Sequence, residues 1–407
     1  MNDRTILYTC AVLRSLGTSL LGVLLGVYLA KLQLTPAAIG LIVGVGLAGG
    51  AVAALLVTFA GDRMGRRKTL VALALLGAVG TCVVASSGQV PVLATAAFAG
   101  MLNGMGRDRG AAVILDQAIL PTTTADRDRT SGFAWYNVLQ DTGNAFGALL
   151  AALPLLLQDV FALDELTSIR VVVVGTALLL IASAARYWRL SSGAEPKTSV
   201  HRVSLSDDSR RALWKISALF GVDSLAGGFL TASLLSFFFF ERFGASEATI
   251  GLLFFGARIV NAASHLAASW LANRIGLINT MVFTHIPSSL LLVTVAFAPN
   301  FPIAAALFLL REGLVEMDVP TRQSYVMAIV RPEERTFAAG ITNLVRLGGW
   351  AAAPPFAGLL IQGASLLAPL FVGAGMKIVY DILLYRAFRH RRPPEEQLSP
   401  HTPNRPL

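Results

Sequence analysis

The sequence is poor in charge. Only 14% of its 407 residues are Asp, Glu, Lys or Arg, against roughly 25% in a typical soluble domain. Hydrophobic residues make up 55%, and the mean hydropathy is +0.64. So few charges cannot cover a water-soluble body of this size. Cysteine is nearly absent: Cys10 and Cys82 fall in separate apolar runs, which excludes a disulfide framework and a cysteine metal site. The sequence has no GxxxxGK[ST] loop, HExxH, GxSxG or cluster of histidines. It therefore offers no nucleotide-driven motor, no enzyme chemistry and no metal or other cofactor site. Met1 to Arg4 leads straight into a long apolar run, without the short core and cleavage site of a signal peptide. The net charge of +9 invites a nucleic-acid partner. The basic residues, however, sit in short loops between apolar runs, and no basic face with interleaved aromatics exists.

What the chain does have is apolar runs of the length a bilayer demands, about 20 residues each. Lipid leaves no partner for an unpaired backbone group, so these runs are helices. Twelve are expected, at about 6–30, 38–60, 69–87, 91–117, 131–157, 168–188, 212–240, 248–272, 278–297, 301–327, 336–361 and 366–388. An even number puts both termini on one side. Lys and Arg concentrate in the loops of that side, while the opposite side holds only Lys31, Arg170 and Arg242. The positive-inside rule predicts cytoplasmic termini for a multi-pass protein of the plasma (inner) membrane.

The chain also repeats. Residues 34–44 (LTPAAIGLIVG) resemble 245–255 (ASEATIGLLFF) at a shift of 211, which also aligns Arg63 with Arg274, Gly65 with Gly276 and Thr69 with Thr280. Two six-helix halves follow: 1–188 and 212–390, joined by a polar cytoplasmic linker at 189–211. A Pro-rich tail, 391–407, reads as disordered.

The loop after the second run reads Gly61-Asp62-Arg63-Met64-Gly65-Arg66-Arg67-Lys68. It resembles the signature loop of the major facilitator superfamily, Gly-x-x-x-Asp-Arg/Lys-x-Gly-Arg-Arg/Lys, at the expected place. Thr58 stands where that family usually has Gly. The resemblance implies the all-helical fold of that family, two pseudo-symmetric six-helix halves around a cavity lined by spans one, four, seven and ten. The loop itself reads either as a cytoplasmic gating latch or as a topogenic charge cluster. Gly65 permits a tight turn, Asp62 can face a helix N-terminus, and Arg66 and Arg67 can pair with an acid such as Asp116. Span five has Gly143-x-x-x-Gly147 but lacks the Pro of the family's efflux members.

An ionisable residue inside a span is a functional candidate, because it costs several kcal/mol unless solvated or paired. The candidates here are Arg14, Arg107, Asp108, Asp141, Asp223, Arg258, His265, Arg311, Glu312, Glu316 and Arg346, with Arg109, Asp318, Arg322, Lys377 and Asp381 beside them. In a continuous helix Glu312 and Glu316 share a face with no basic residue on it, which makes them the first choice for proton coupling. Asp318 and Arg322 form an i,i+4 pair. Arg107 shares its face with Gly100, Asn103 and Gly104 and reads as the cavity residue of its span. Asp141 and His265 lie at matching depths. They are expected to meet when the cytoplasmic side closes, the alternative being that each hydrogen-bonds within its own half.

The function expected is secondary active transport of a small solute by alternating access, coupled to protons, by a protein that works as a monomer in the lipid bilayer. The intramembrane arginines point first to an anionic or zwitterionic solute. Proton-driven efflux of amphipathic drugs is the alternative, and a transporter-like sensor or scaffold is a distant one.

Overall fold

The computed structural model describes residues 2–123, 129–195, 207–329 and 335–389. The 391–407 tail, residues 196–206 of the linker and the side chain of Asp62 lie outside the described residues. Among the described residues all regular structure is helical. Eight spans are single helices: span one Asp3–Lys31, two Pro36–Met64, three Arg66–Ser86, six Glu165–Tyr187, eight Glu247–Ile275, nine Leu277–Ala296, eleven Arg335–Gly363 and twelve Ala368–Phe388. Span five runs through Arg129–Leu149, a short turn, and Leu153–Phe161.

Spans four, seven and ten are broken. Span four is Val90–Ala99 and Ala111–Ile119, span seven Asp207–Gly228 and Ala232–Phe243, span ten Phe301–Val315 and Asp318–Ile329. The continuous helices expected at 91–117, 212–240 and 301–327 are thus corrected. Chemistry explains each break. Segment 100–110 holds four glycines, and Gly106 takes φ +69° where it packs against Gly22, a backbone that glycine adopts without penalty. Span seven ends on Gly227-Gly228 and restarts on Thr231, whose hydroxyl accepts from Leu234 N at 3.2 Å. Span ten restarts at Asp318, with Pro320 in its first turn, where a missing N–H is harmless.

The repeat is visible in the backbone. Gly65 and Gly276 have φ +86° and +87°, and the hydroxyls of Thr69 and Thr280 each donate to the carbonyl of their glycine at 2.8 Å. Thr35 and Ser246 cap the helices that begin each repeat, accepting from Ala38 N and Thr249 N at 3.3 Å. Large apolar side chains such as Phe59, Val79, Leu178 and Phe283 stand exposed around the outside of the bundle, a surface suited to lipid rather than water.

The halves meet along spans two and eleven, one and seven, and five and eight. Their closest approaches lie on the side opposite the termini. Gly40 faces the Pro354 carbonyl and Gly358, Gly26 faces Ser233, and Gly251 faces Ala148. Small residues let these backbones approach closely. On the same side Lys31 of the first half holds Glu165 of its own half and reaches Glu247 of the second at 3.2 Å. A Cβ at position 358 would lie 3.0 Å from Ala37 Cα and 3.1 Å from Gly40 Cα. Gly358→Val should therefore overpack the seam by about 1–3 kcal/mol. The expected result is a longer distance between spin labels at Gln33 and Ser365, with a lower melting temperature. An unchanged distance would show that the seam is not set by glycine.

Candidate functional site

The intramembrane charges sort into three groups. The first lies inside the first half. Arg14 is buried and contacts Asp108 at 3.0 Å and Asp116 at 2.9 Å. Tyr136 and Tyr187 donate to Asp116 at 2.9 and 3.1 Å. Gln140 donates to the Asp108 carbonyl at 2.8 Å. This group ties the unwound segment of span four to spans one, five and six. Asp116 is therefore occupied, and its expected pairing with Arg66 and Arg67 is corrected. The backbone N–H groups of Arg66 and Arg67 instead bind Glu195 at 2.7 and 3.2 Å, capping span three. Arg63 is exposed. Arg14, Tyr136 and Asp116 thus read as a structural pairing, with no vacant valence for a solute.

The second group lies inside the second half. Asp223 accepts from Lys377 Nζ at 2.9 Å and Arg322 Nη1 at 3.2 Å. Arg322 also holds Asp318 at 2.7 Å, the expected i,i+4 pair. His285 joins Asp381 through Nδ1 at 3.0 Å and Lys377 through Nε2 at 3.2 Å. All six are buried.

The third group joins the halves at mid-depth, where the broken spans converge. Ser233 N and Oγ donate to the Gly104 carbonyl at 3.0 and 3.2 Å, and Arg258 Nη2 donates to the Gly106 carbonyl at 2.9 Å. Arg107 Nη1 lies 2.6 Å from Glu316. Glu312 is held by Arg311 and by Asn261 Nδ2, the latter at 3.0 Å. The carboxylate stripe expected to lack a basic partner therefore has one at each position. For Glu316 the partner comes with the breaks: Glu316 ends the first helix of span ten, and Arg107 stands on the unwound backbone of span four; Glu312 is held by its chain neighbour Arg311 within the helix.

The second and third groups surround a cavity of about 130 Å³. Seven basic side chains and four carboxylates line it. Arg107, Arg258, Arg311, Glu312, Glu316, Asp223 and Arg346 are among them; Arg14, Asp108, Asp141 and His265 are not. Asp141 is exposed and His265 Nδ1 is buried without a partner. In this structure, whose close seams lie opposite the termini, the two are not hydrogen-bonded.

Arg109 and Arg346, from opposite halves, face the Trp350 ring at 5.6 and 4.7 Å. Neither has a carboxylate partner among the described residues, nor does Arg258. The Nε atoms of Arg258, Arg311 and Arg346 are buried without acceptors. Sequence reasoning missed Trp350, Tyr136, Tyr187 and His285. The last was detectable by the rule that singled out Asp381, an ionisable group within an apolar span.

Removing Arg14 would strand two buried carboxylates, a loss of about 3–5 kcal/mol. Arg14→Gln should lower the melting temperature sharply, and adding Asp116→Asn should restore part of it. Equal stability of wild type and Arg14→Gln would show that the group is not a buried ion cluster.

Comparison with known proteins agrees with this architecture. The family model described as Major Facilitator Superfamily matches residues 7–240 and 216–406. An uncharacterized membrane protein of Saccharomyces cerevisiae is 23% identical over 416 residues, covering 94% of this chain and 93% of that one. Among solved structures, the nucleoside transporter NupG superposes with a TM-score of 0.75 at 15% identity, over 96% of this chain and 100% of that one. A D-xylose–proton symporter gives 0.72 at 12%, over 97% and 98%. The human organic anion transporter MFSD10 (TETRAN) gives 0.61 at 17%, over 94% and 98%. With the signature loop, the doubled six-helix repeat and a family match across nearly its whole length, the chain belongs to the major facilitator superfamily and is a membrane transporter rather than an enzyme.

Proposed function

We propose that this transporter carries a small anionic solute across the plasma membrane by alternating access, driven by a proton gradient, with both termini in the cytoplasm. One observation carries the choice of solute. Arg109, Arg258 and Arg346 line the cavity from both halves without a carboxylate partner among the described residues. A guanidinium away from bulk water is costly unless its charge is met, and a carboxylate, sulfate or phosphate group meets it with bidentate geometry. The cavity's own glutamates are already held by Arg107 and Arg311. No free carboxylate among the described lining residues is left to bind an ammonium group, so an anion fits better than a zwitterion. The solved neighbours carry chemically different solutes by their names, so the fold does not choose between them.

Efflux of amphipathic drugs has less support, because charged groups outnumber the aromatic ones, Phe254, Phe308 and Trp350, around the cavity. The test is a thermal-shift screen of solutes on the purified protein, since a ligand of the native state raises its melting temperature. Anions should stabilise it and amphipathic cations should not. Arg346→Gln should weaken that stabilisation roughly tenfold to a hundredfold in concentration, the equivalent of a charged hydrogen bond of about 1.5–3 kcal/mol. Stabilisation by cations alone would favour the drug reading. Failure of proteoliposomes to move any solute would favour a sensor.

Orientation has its own check. Ser192 is exposed at the start of the linker. A cysteine there, in a background lacking Cys82, should react with an impermeant reagent only after the cytoplasmic face is opened. Labelling in intact cells would reverse the topology.

A further inference from the structure

The second half contains a buried chain of ionisable groups that anion binding does not require. Its order is Asp381, His285, Lys377, Asp223, Arg322, Asp318, drawn from spans twelve, nine, seven and ten. His285 is 1% exposed and Asp381 0%. His285, Lys377 and Asp223 line the central cavity, whereas Asp381 stands behind them. Tyr380 meets the imidazole edge-on at 6.0 Å between ring centres. Span eight also packs on span nine but gives His285 no hydrogen-bonding or ion-pair partner among the described residues.

The partners settle the tautomer. A carboxylate only accepts and an ammonium only donates. Nδ1 therefore carries the hydrogen, shared with Asp381, and Nε2 offers its lone pair to Lys377. The chain itself holds three carboxylates and two cations, and Arg346 of span eleven, which lines the same cavity, adds a further positive charge acting on Asp223 and Asp318. A proton added to the imidazole is met by the Asp381 carboxylate on its Nδ1 side. The candidates first expected for this role, Glu312 and Glu316, are already neutralised by arginines.

We propose that this chain is the proton-binding site of the transporter, with the Nε2 lone pair of His285 as the acceptor. A proton taken from water forms the Nε2–H bond. Lys377 then loses its nitrogen acceptor while keeping Asp223. Asp223 Oδ1, 4.0 Å from Nε2, is the nearest group to receive the new N–H. The Lys377 ammonium is released toward the cavity it lines and adds a donor there for a bound anion. Proton and anion thus favour each other's binding, which is the requirement for moving them together. The link to transport rests on the anionic reading of the cavity; the proton site itself does not.

The experiment uses the full-length protein in lipid nanodiscs, without added solute. The chain has five histidines, and 13C,15N-labelled imidazoles can be followed by NMR, with His285→Asn assigning the resonance. In wild type the His285 signal should show the Nδ1–H form at alkaline pH and gain a proton as the pH is lowered to the acid range. Proton uptake over that range, read with an indicator dye, should fall by one equivalent per protein in His285→Asn. In Asp381→Asn the Nδ1 resonance of His285 should shift, because its charged acceptor is gone. A His285 signal that stays neutral while the protein remains folded would overturn the proposal, and wild-type NMR alone decides this if the variants do not fold. Equal uptake in wild type and a folded His285→Asn would overturn it as well. An intact uptake step in a protein that no anion stabilises would remove the anionic reading and leave this site standing. Anion stabilisation without the uptake step would do the reverse.

Discussion

A broken helix inside a bilayer must find partners for the backbone groups it frees, and the centre of this molecule is organised by that requirement. The unwound segment 100–110 exposes the carbonyls of Gly104, Gly106, Arg107 and Asp108. Asn103 and Gln140 of the same half satisfy the last two. Ser233 and Arg258 of the opposite half satisfy the first two. The first half is thus incomplete without the second at mid-depth. A rocking motion of the halves would exchange these bonds for water or solute. The break therefore stabilises one arrangement of the halves without making it permanent.

The charges follow the same logic. Eleven charged groups around a cavity of this size are tolerable only as pairs. In the second half Asp223 pairs with Lys377 and Arg322, while the first half keeps its own buried network, Arg14 with Asp108 and Asp116, outside the cavity lining. What remains unpaired is positive, and it lies where the halves meet. Arg109 and Arg346 both contact the Trp350 ring, an aromatic partner that attracts two guanidinium groups without cancelling their charge.

The bundle was legible in the sequence because its cause is local. Apolar run length follows from bilayer thickness, and the 211-residue repeat carries its turns with it, as Gly65 and Gly276 show. The breaks were not legible. Segment 100–110 lies inside an apolar run long enough to read as one continuous helix, and its unwound form is held by partners distant in sequence, Gln140 of the same half and Ser233 and Arg258 of the opposite half. The sequence placed Arg107 and Glu316 in one cavity but did not pair them; Arg107, on the unwound backbone, lies 2.6 Å from Glu316. His285 was in plain view as an ionisable group in an apolar span, but its partners Asp381 and Lys377 lie about 90 residues away in sequence, and periodicity within a span says nothing about them.

The repeat also shows where packing ends and chemistry begins. Positions that build turns and seams are duplicated: Thr69 with Thr280, and Gly40 with Gly251, each against a neighbouring backbone. Arg258, Asn261 and His265 correspond at the same shift to Leu47, Gly50 and Ala54. Helix packing alone does not ask for charge at those positions, since the first half packs without it. Arg258 closes the frame around the unwound segment, and Asn261 holds Glu312. The asymmetry places the ionisable lining of the cavity largely on one half, with Arg107 and Arg109 as the first half's contribution. On the proposed reading, in which the halves rock, a solute held by Arg258 and Arg346 would stay with the second half and its buried His285 chain, while Arg107 and Arg109 would approach or withdraw. A gate built this way would need charge on both sides but titration on only one.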